Sequence, residues 1–255
     1  MASKRPSKRE EVLEGDEVQH RHQPVNSNTL KLKLDHLKTF EPLTDNQRLF
    51  FEAYKRGDYF IALHGVAGTG KTFCAMYKAL EEVLDKGNPF KKIIVVRSAV
   101  QSREIGHLPG DVSEKMEIYQ QPYRQICETL FGRKDSWDRL EEQNHVEFIS
   151  TSFIRGMSFD DAIIIVDEMQ NMTFEEIDTV MTRVGYRSKI IWCGDYRQTD
   201  LNKKKNDVSG ILKFFDIAYH MKAFTKIEFD VNDIVRSSLV KDYIIAKLQY
   251  EDYPR

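Results

Sequence analysis

Short apolar runs alternate with amphipathic stretches from about residue 43 onward, and that alternation sets the fold class. Tyr59–His64, Lys92–Arg97 (KIIVVR), Val146–Ser150, Ala162–Asp167 (AIIIVD), Lys189–Gly194 (KIIWCG) and Lys226–Phe229 read as strands. The almost wholly apolar AIIIVD run marks the centre of a parallel sheet, where strands are covered on both faces. Between the strands lie helical patterns. One runs from Arg48 to Arg56, with Thr44 or Asp45 as its cap. Another runs from Lys71 to Lys86 and stops at Gly87-Asn88-Pro89. Val112–Phe131 reads as one or two helices, interrupted at Pro122. Thr173–Val184 is capped by Thr173, with Glu175 and Glu176 in its first turn. Val208–Met221 and Ser238–Gln249 complete the set. The expectation is an α/β fold, a parallel sheet flanked by helices on both faces. Upstream, Thr29–Leu37 alternates apolar and polar residues and predicts a short strand. Residues 1–28 are polar and charged and predict a disordered tail, leaving one domain over 29–255. The tail carries a small basic cluster of Lys4, Arg5, Lys8 and Arg9.

Composition narrows the class without changing the fold. The chain has 255 residues, enough to bury a core without disulfides or a structural metal. Its formal net charge of −2 gives no global positive field, so any nucleic-acid contact has to be local. Cys74, Cys127 and Cys193 are widely spaced and form no CxxC pair, which predicts a reduced, cytoplasmic chain without a thiolate metal site. No run of 18 apolar residues predicts a membrane span. The charged N-terminus has no apolar stretch behind it, and a secretory leader is not expected.

The chemistry concentrates at Gly65-Val66-Ala67-Gly68-Thr69-Gly70-Lys71-Thr72, a full match to GxxxxGK[ST] between a strand and a helix. Glycines let successive backbone N–H groups point into one concavity that holds phosphate. The helix beginning near Lys71 offers its positive end to the same anion. Lys71 is expected to reach the β- and γ-phosphates, and the Thr72 hydroxyl to ligate Mg2+. Asp167 and Glu168 end the apolar strand 162–167, where ligands bind in such sheets. Asp167 is expected to hold Mg2+ through water and Glu168 to orient the attacking water. A second acid favours a hydrolase over a metabolic kinase, which attacks with a substrate hydroxyl. No NKxD motif follows a strand, which disfavours GTP. Gly194–Asp200 follows the next strand, and Gln198 in it could bond the γ-phosphate or the lytic water. A plain strand-to-helix connection would look the same.

These blocks, in order, resemble the PhoH-like ATPases, relatives of superfamily 1 helicase cores with a RecA-like P-loop fold. The resemblance covers residues 40–245. It rests on the loop at 65–72, Leu108-Pro109-Gly110-Asp111, Phe153-Ile154-Arg155-Gly156 and Asp167-Glu168-Met169-Gln170-Asn171. Gly194-Asp195 with Gln198 and Asp200-Leu201, and then Asp233-Ile234-Val235-Arg236, complete it. It implies ATP and Mg2+ as cofactors. It implies that Gln47 reads the adenine edge, and that Arg236 stabilises charge on the γ-phosphoryl, donated to a neighbouring subunit of a ring hexamer. Arg97 matches a family arginine, but Ser98 follows where Pro is usual, and Met169 stands where Ala is usual. A nuclease extension after the core is not expected.

The resemblance also raises a nucleic-acid track, which needs a basic groove with aromatic platforms. Arg103, His107, Arg155 and Lys203–Lys205 are the basic candidates, with Phe153 and Tyr196 as stacking candidates. A solvated loop accounts equally for the lysines, and core packing for the aromatics. Three readings stay open: an RNA or single-stranded DNA motor, a nucleotide-switched ATPase acting on a protein partner, and a small-molecule kinase. Glu168 and Arg236 weigh against the last.

Overall fold

The computed structural model describes residues 31–98, 112–195 and 210–252. The predicted tail over 1–28 lies outside them.

Six strands form one parallel sheet: β1 (Phe60–Gly65), β2 (Lys92–Arg97), β3 (Val146–Ser150), β4 (Ala162–Asp167), β5 (Lys189–Gly194) and β6 (Phe224–Phe229). Their order is β3-β2-β4-β5-β1-β6, so β5 lies between β1 and β4. The helices are α1 (Asp45–Lys55), α2 (Lys71–Leu84), α3 (Val112–Phe131), α4 (Ser136–Glu142), α5 (Phe174–Met181), α6 (Ile211–Ala218) and α7 (Ser238–Asp252).

The apolar runs become central strands because both faces need cover. Along β4, Ile163 and Ile165 join the core under α1–α4, while Ala162, Ile164 and Val166 join the core under α5 and α6. The same division holds in β1, with Ile61 and Leu63 on one side and Phe60 and Ala62 on the other. Every residue of β1, β4 and β5 is buried, so period-2 alternation is absent and the runs read as uninterrupted. A third, small cluster of Val66, Ile234 and Leu248 packs α7 onto the loop after β1.

Three sequence expectations change. The alternation at Thr29–Leu37 does not make a strand over its described part: Leu34–His36 is one turn of 3-10 helix. Alternation needs a neighbouring strand, and this segment instead crosses helix ends, with Lys38 N–H donating to Leu130 O at 2.9 Å. Pro122 does not interrupt α3, which runs as a single helix through it. Finally, α4 was not foreseen; it is seven residues long and is anchored by the fully buried Trp137 and Leu140.

A candidate nucleotide site at the carboxyl ends of the strands

Because all six strands are parallel, the residues that end β1, β2, β4 and β5 lie at one edge of the sheet, where α/β folds place ligands. A cleft of about 560 Å3 opens there. Of the residues expected to act, Gln47, Ala67–Thr72, Asp167, Glu168 and Arg236 line it. Gly65 and Val66 stand behind it instead. Val66 N–H donates to Phe229 O at 3.0 Å, and its side chain packs with Ile234 and Leu248. Gly65 has φ +124°, and a Cβ there would lie 2.0 Å from Phe229 O, so only glycine permits β6 to brace the loop. Gln198 and the Leu108–Asp111 and Asp200-Leu201 blocks lie outside the described residues. So do Arg103, His107, Tyr196 and Lys203–Lys205.

The loop is a cradle clipped from several sides. Gly70, in the left-handed conformation, caps α2 without a side-chain acceptor, which leaves the first-turn N–H groups for an anion. The Thr69 hydroxyl donates to Val66 O at 3.0 Å. Lys71 is 9% exposed, and its ammonium donates to Gly65 O (3.0 Å), Val66 O (2.7 Å) and Thr69 Oγ1 (3.2 Å). Burial draws its pKa below the usual lysine range, opposed chiefly by the charges of Asp195 and Asp167. From the far end of the chain, Val235 N–H donates to Gly68 O at 3.0 Å. Arg236 follows, and its Cγ would be 3.1 Å from a Cβ built on Gly68. Arg236 therefore stands beside the loop of its own chain.

On the opposite wall, Thr72 Oγ1 donates to Asp167 Oδ1 at 2.8 Å, and the Tyr123 hydroxyl donates to Asp167 Oδ2 at 2.9 Å. Arg97 pairs in register with Asp167 across β2 and β4. Its guanidinium lies 5.6 Å from the Tyr119 ring centroid. Glu168 adopts the left-handed conformation (φ 53°, ψ 42°), which a non-glycine residue keeps only where its surroundings impose it. Gln170 imposes part of it. Its amide N–H donates to Glu168 Oε2, and its Oε1 accepts from Asp195 N–H at 3.1 Å, joining the ends of β4 and β5. Burial, then the neighbouring Asp167 charge, raises the Glu168 carboxyl, while Arg97 pulls it back.

Gln47 is 1% exposed and has both ends of its amide engaged. Oε1 accepts from Leu43 N–H at 2.8 Å, and Nε2 donates to Thr69 O at 2.9 Å. Ser98 meets Glu176. The hydroxyls of Ser98 (2.7 Å) and Thr151 (2.6 Å) donate to its Oε1, while Thr173 N–H donates to its Oε2 at 2.9 Å. One carboxylate thus ties the ends of β2 and β3 to the start of α5.

Tyr123, Gln170 and Asp195 are functional-site residues to which sequence reasoning assigned no role. Gln170 and Asp195 lay inside blocks quoted for other residues. For Tyr123 the one sequence signal was a Pro-Tyr step in the middle of a helix.

The donor set fits a nucleoside triphosphate with a divalent cation. Loop amides and Lys71 suit phosphate, and Thr72 Oγ1 with Asp167 offers hard oxygens to a cation that completes its shell from phosphate and water.

Comparison with known proteins identifies the family. The PhoH-like protein family model matches residues 39–247. A PhoH-like protein of Bacillus subtilis is 37% identical over 210 residues, 82% of this chain and 64% of that protein. One from Mycobacterium leprae is 34% identical over 233 residues, 90% of this chain and 64% of that protein. Protein PhoH of Escherichia coli is 32% identical over 177 residues, 69% of this chain and 49% of that protein. The chain thus spans less than two thirds of the length of these relatives. The solved Pif1 helicase from Candida albicans overlays on 75% of this chain and 40% of that one, with 12% identity and a TM-score of 0.35, too loose a likeness to bear on the site. Among the described residues no helix is long and apolar enough to cross a membrane. With its phosphate loop, its Asp-Glu pair after β4 and a family match over most of its length, the chain belongs to the PhoH-like proteins.

Proposed function

We propose that the cleft binds ATP with Mg2+ and hydrolyses it, and that turnover is coupled to RNA or another single strand. The observation that carries the hydrolytic reading is the Thr72–Asp167 contact of 2.8 Å. It joins the phosphate loop to the acid ending β4 and gives a hard cation two oxygens beside the phosphates. Mg2+ bound there would neutralise charge on the β- and γ-phosphates. Lys71 exchanges its loop carbonyl acceptors for phosphate oxygens. Glu168, held by Gln170, orients a water toward the γ-phosphorus and accepts its proton as the bond to the leaving ADP breaks. A carboxyl raised by burial suits that acceptance. Arg236, beside Gly68, is assigned to stabilisation of the γ-phosphoryl charge. Gln198 is assigned to the γ-phosphate or the lytic water on its place in the sequence after β5. Adenine reading by Gln47 requires its amide to release Leu43 or Thr69. Phe40 and Leu43 supply an apolar wall beside it for a base.

The nucleic-acid part is supported by the helicase-like order of motifs. It is supported too by Phe153, 55% exposed, and the exposed Arg155, just beyond the carboxyl end of β3. The near-neutral charge supports the second reading, a nucleotide-switched ATPase acting on a protein partner. The ring hexamer implied by the resemblance belongs to the proposal and is read by sedimentation with and without ATP.

The test is the steady-state ATPase rate with and without single-stranded RNA, single-stranded DNA and duplex, with Glu168→Gln as control. Glu168→Gln should turn over about a thousandfold slower while still binding ATP. Unchanged turnover would remove Glu168 from the mechanism. Stimulation by one single strand names the track, and unstimulated hydrolysis shifts the assignment to the protein-partner reading.

A further inference from the structure

Tyr123 is fully buried in α3, one residue after Pro122 on the cleft wall. Its ring already has a complete packing environment, with ring centroids 6.2 Å from Trp137 and 5.7 Å from Phe148. A phenylalanine would fill that space equally well. The hydroxyl has a separate task, because it donates to Asp167 Oδ2 at 2.9 Å while Thr72 Oγ1 donates to Oδ1 at 2.8 Å. Each carboxylate oxygen therefore carries one donor from the chain, approaching from a different element. The two contacts fix the rotation of a carboxylate at the last residue of β4, directly before the left-handed turn at Glu168. The oxygens keep their remaining lone pairs for a ligand in the cleft. Groups that orient a metal-side carboxylate from behind typically change metal affinity by tenfold or more when removed.

We propose that Tyr123 is the positioning residue of Asp167, holding the carboxylate in the rotation that it and Thr72 need to share one divalent cation. The assignment rests on the Mg2+–ATP reading above. It makes α3 part of the metal side of the site as well as of the cleft wall.

The test measures binding, not turnover. A fluorescent ATP analogue is titrated against the full chain in Mg2+ and in EDTA, and the ratio of the two affinities reports the metal contribution. In Tyr123→Phe that ratio should fall about tenfold, with the EDTA affinity unchanged. Asp167→Asn should lose the ratio by itself, and Tyr123→Phe added to it should take nothing further. A wild-type ratio near one overturns the Mg2+ reading of the site and this proposal with it. A clear wild-type ratio retained in Tyr123→Phe overturns this proposal alone. So does a further loss in the double variant, since Tyr123 would then act elsewhere. A Tyr123→Phe chain that denaturation shows to be unfolded makes the hydroxyl a strut of the fold and overturns the proposal as well.

Discussion

Two lysines are buried at opposite ends of the sheet, and α2 touches both. Lys71 opens α2 and is 9% exposed; Lys189 opens β5 and is 3% exposed. Burial lowers the pKa of each. Their partners differ. Lys189 meets both carboxylate oxygens of Glu82, from the last turns of α2, at 3.1 and 3.2 Å, and lies 3.5 Å from the Tyr54 ring centroid. The hydrogen bonds of Lys71 go to two carbonyls and a hydroxyl, all neutral. A buried cation with its counter-charge built in is a strut. One held by neutral oxygens keeps its charge available for an incoming anion.

The contrast breaks most visibly at Lys71. Lys71→Met should weaken ATP binding about a hundredfold, the cost of removing a desolvated charge that meets phosphate. Its denaturation free energy should move less than that of the Lys189 variant, because the desolvation cost of the buried ammonium disappears together with its three hydrogen bonds and no carboxylate is left unpaired. Wild-type affinity in this variant would remove the loop from nucleotide binding. Lys189→Met should do the reverse. Leaving Glu82 without its cation costs about 3 kcal/mol in chemical denaturation while ATP affinity stays at the wild-type value. A fall in affinity instead of stability would dissolve the distinction.

His64 sharpens the comparison from between the two. It is the penultimate residue of β1, directly before the first glycine of the phosphate loop, beside the Phe215 ring and 3.7 Å from Glu228. Burial draws its imidazole down to about 4, helped by the Lys226 and Lys71 charges. An unfolded histidine titrates near 6.5, so below that pH the unfolded chain takes up a proton that the folded chain refuses. The stability tied to His64 is therefore full above about pH 6.5 and falls with pH, by about 2 kcal/mol at pH 5. Denaturation across pH 5–7 should show this slope, flattened in His64→Gln. It should shrink modestly in Lys71→Met, where one of the opposing charges is gone.

The same contrast explains what the sequence made legible. The phosphate loop is contiguous, so its eight residues announce themselves without any knowledge of packing. The central strands are legible because burial on both faces leaves runs such as AIIIVD unbroken. Lys189 and Glu82, Tyr123 and Asp167, and Gln170 and Asp195 are contacts between separate elements, and no local pattern marks that the two partners meet. The Thr29–Leu37 alternation misled for the converse reason: a period of two describes what a segment could pair with, not whether a sheet edge is there. Pro122 misled because one missing N–H in a 20-residue helix held by Tyr123, Cys127 and Leu130 in the core costs less than those contacts return. Arg236 was legible as an arginine, but its place beside Gly68 was not.

The clipping of the phosphate loop by Phe229 and Val235 has a consequence for how the chain is made. Every residue of the loop leaves the ribosome early. The carbonyl that receives Val66 N–H and the amide that binds Gly68 O come only with β6 and the turn after it. Those contacts close late, since pairings distant in sequence wait for the intervening chain. A nascent chain lacking β6 therefore holds the complete motif without the two contacts that brace it.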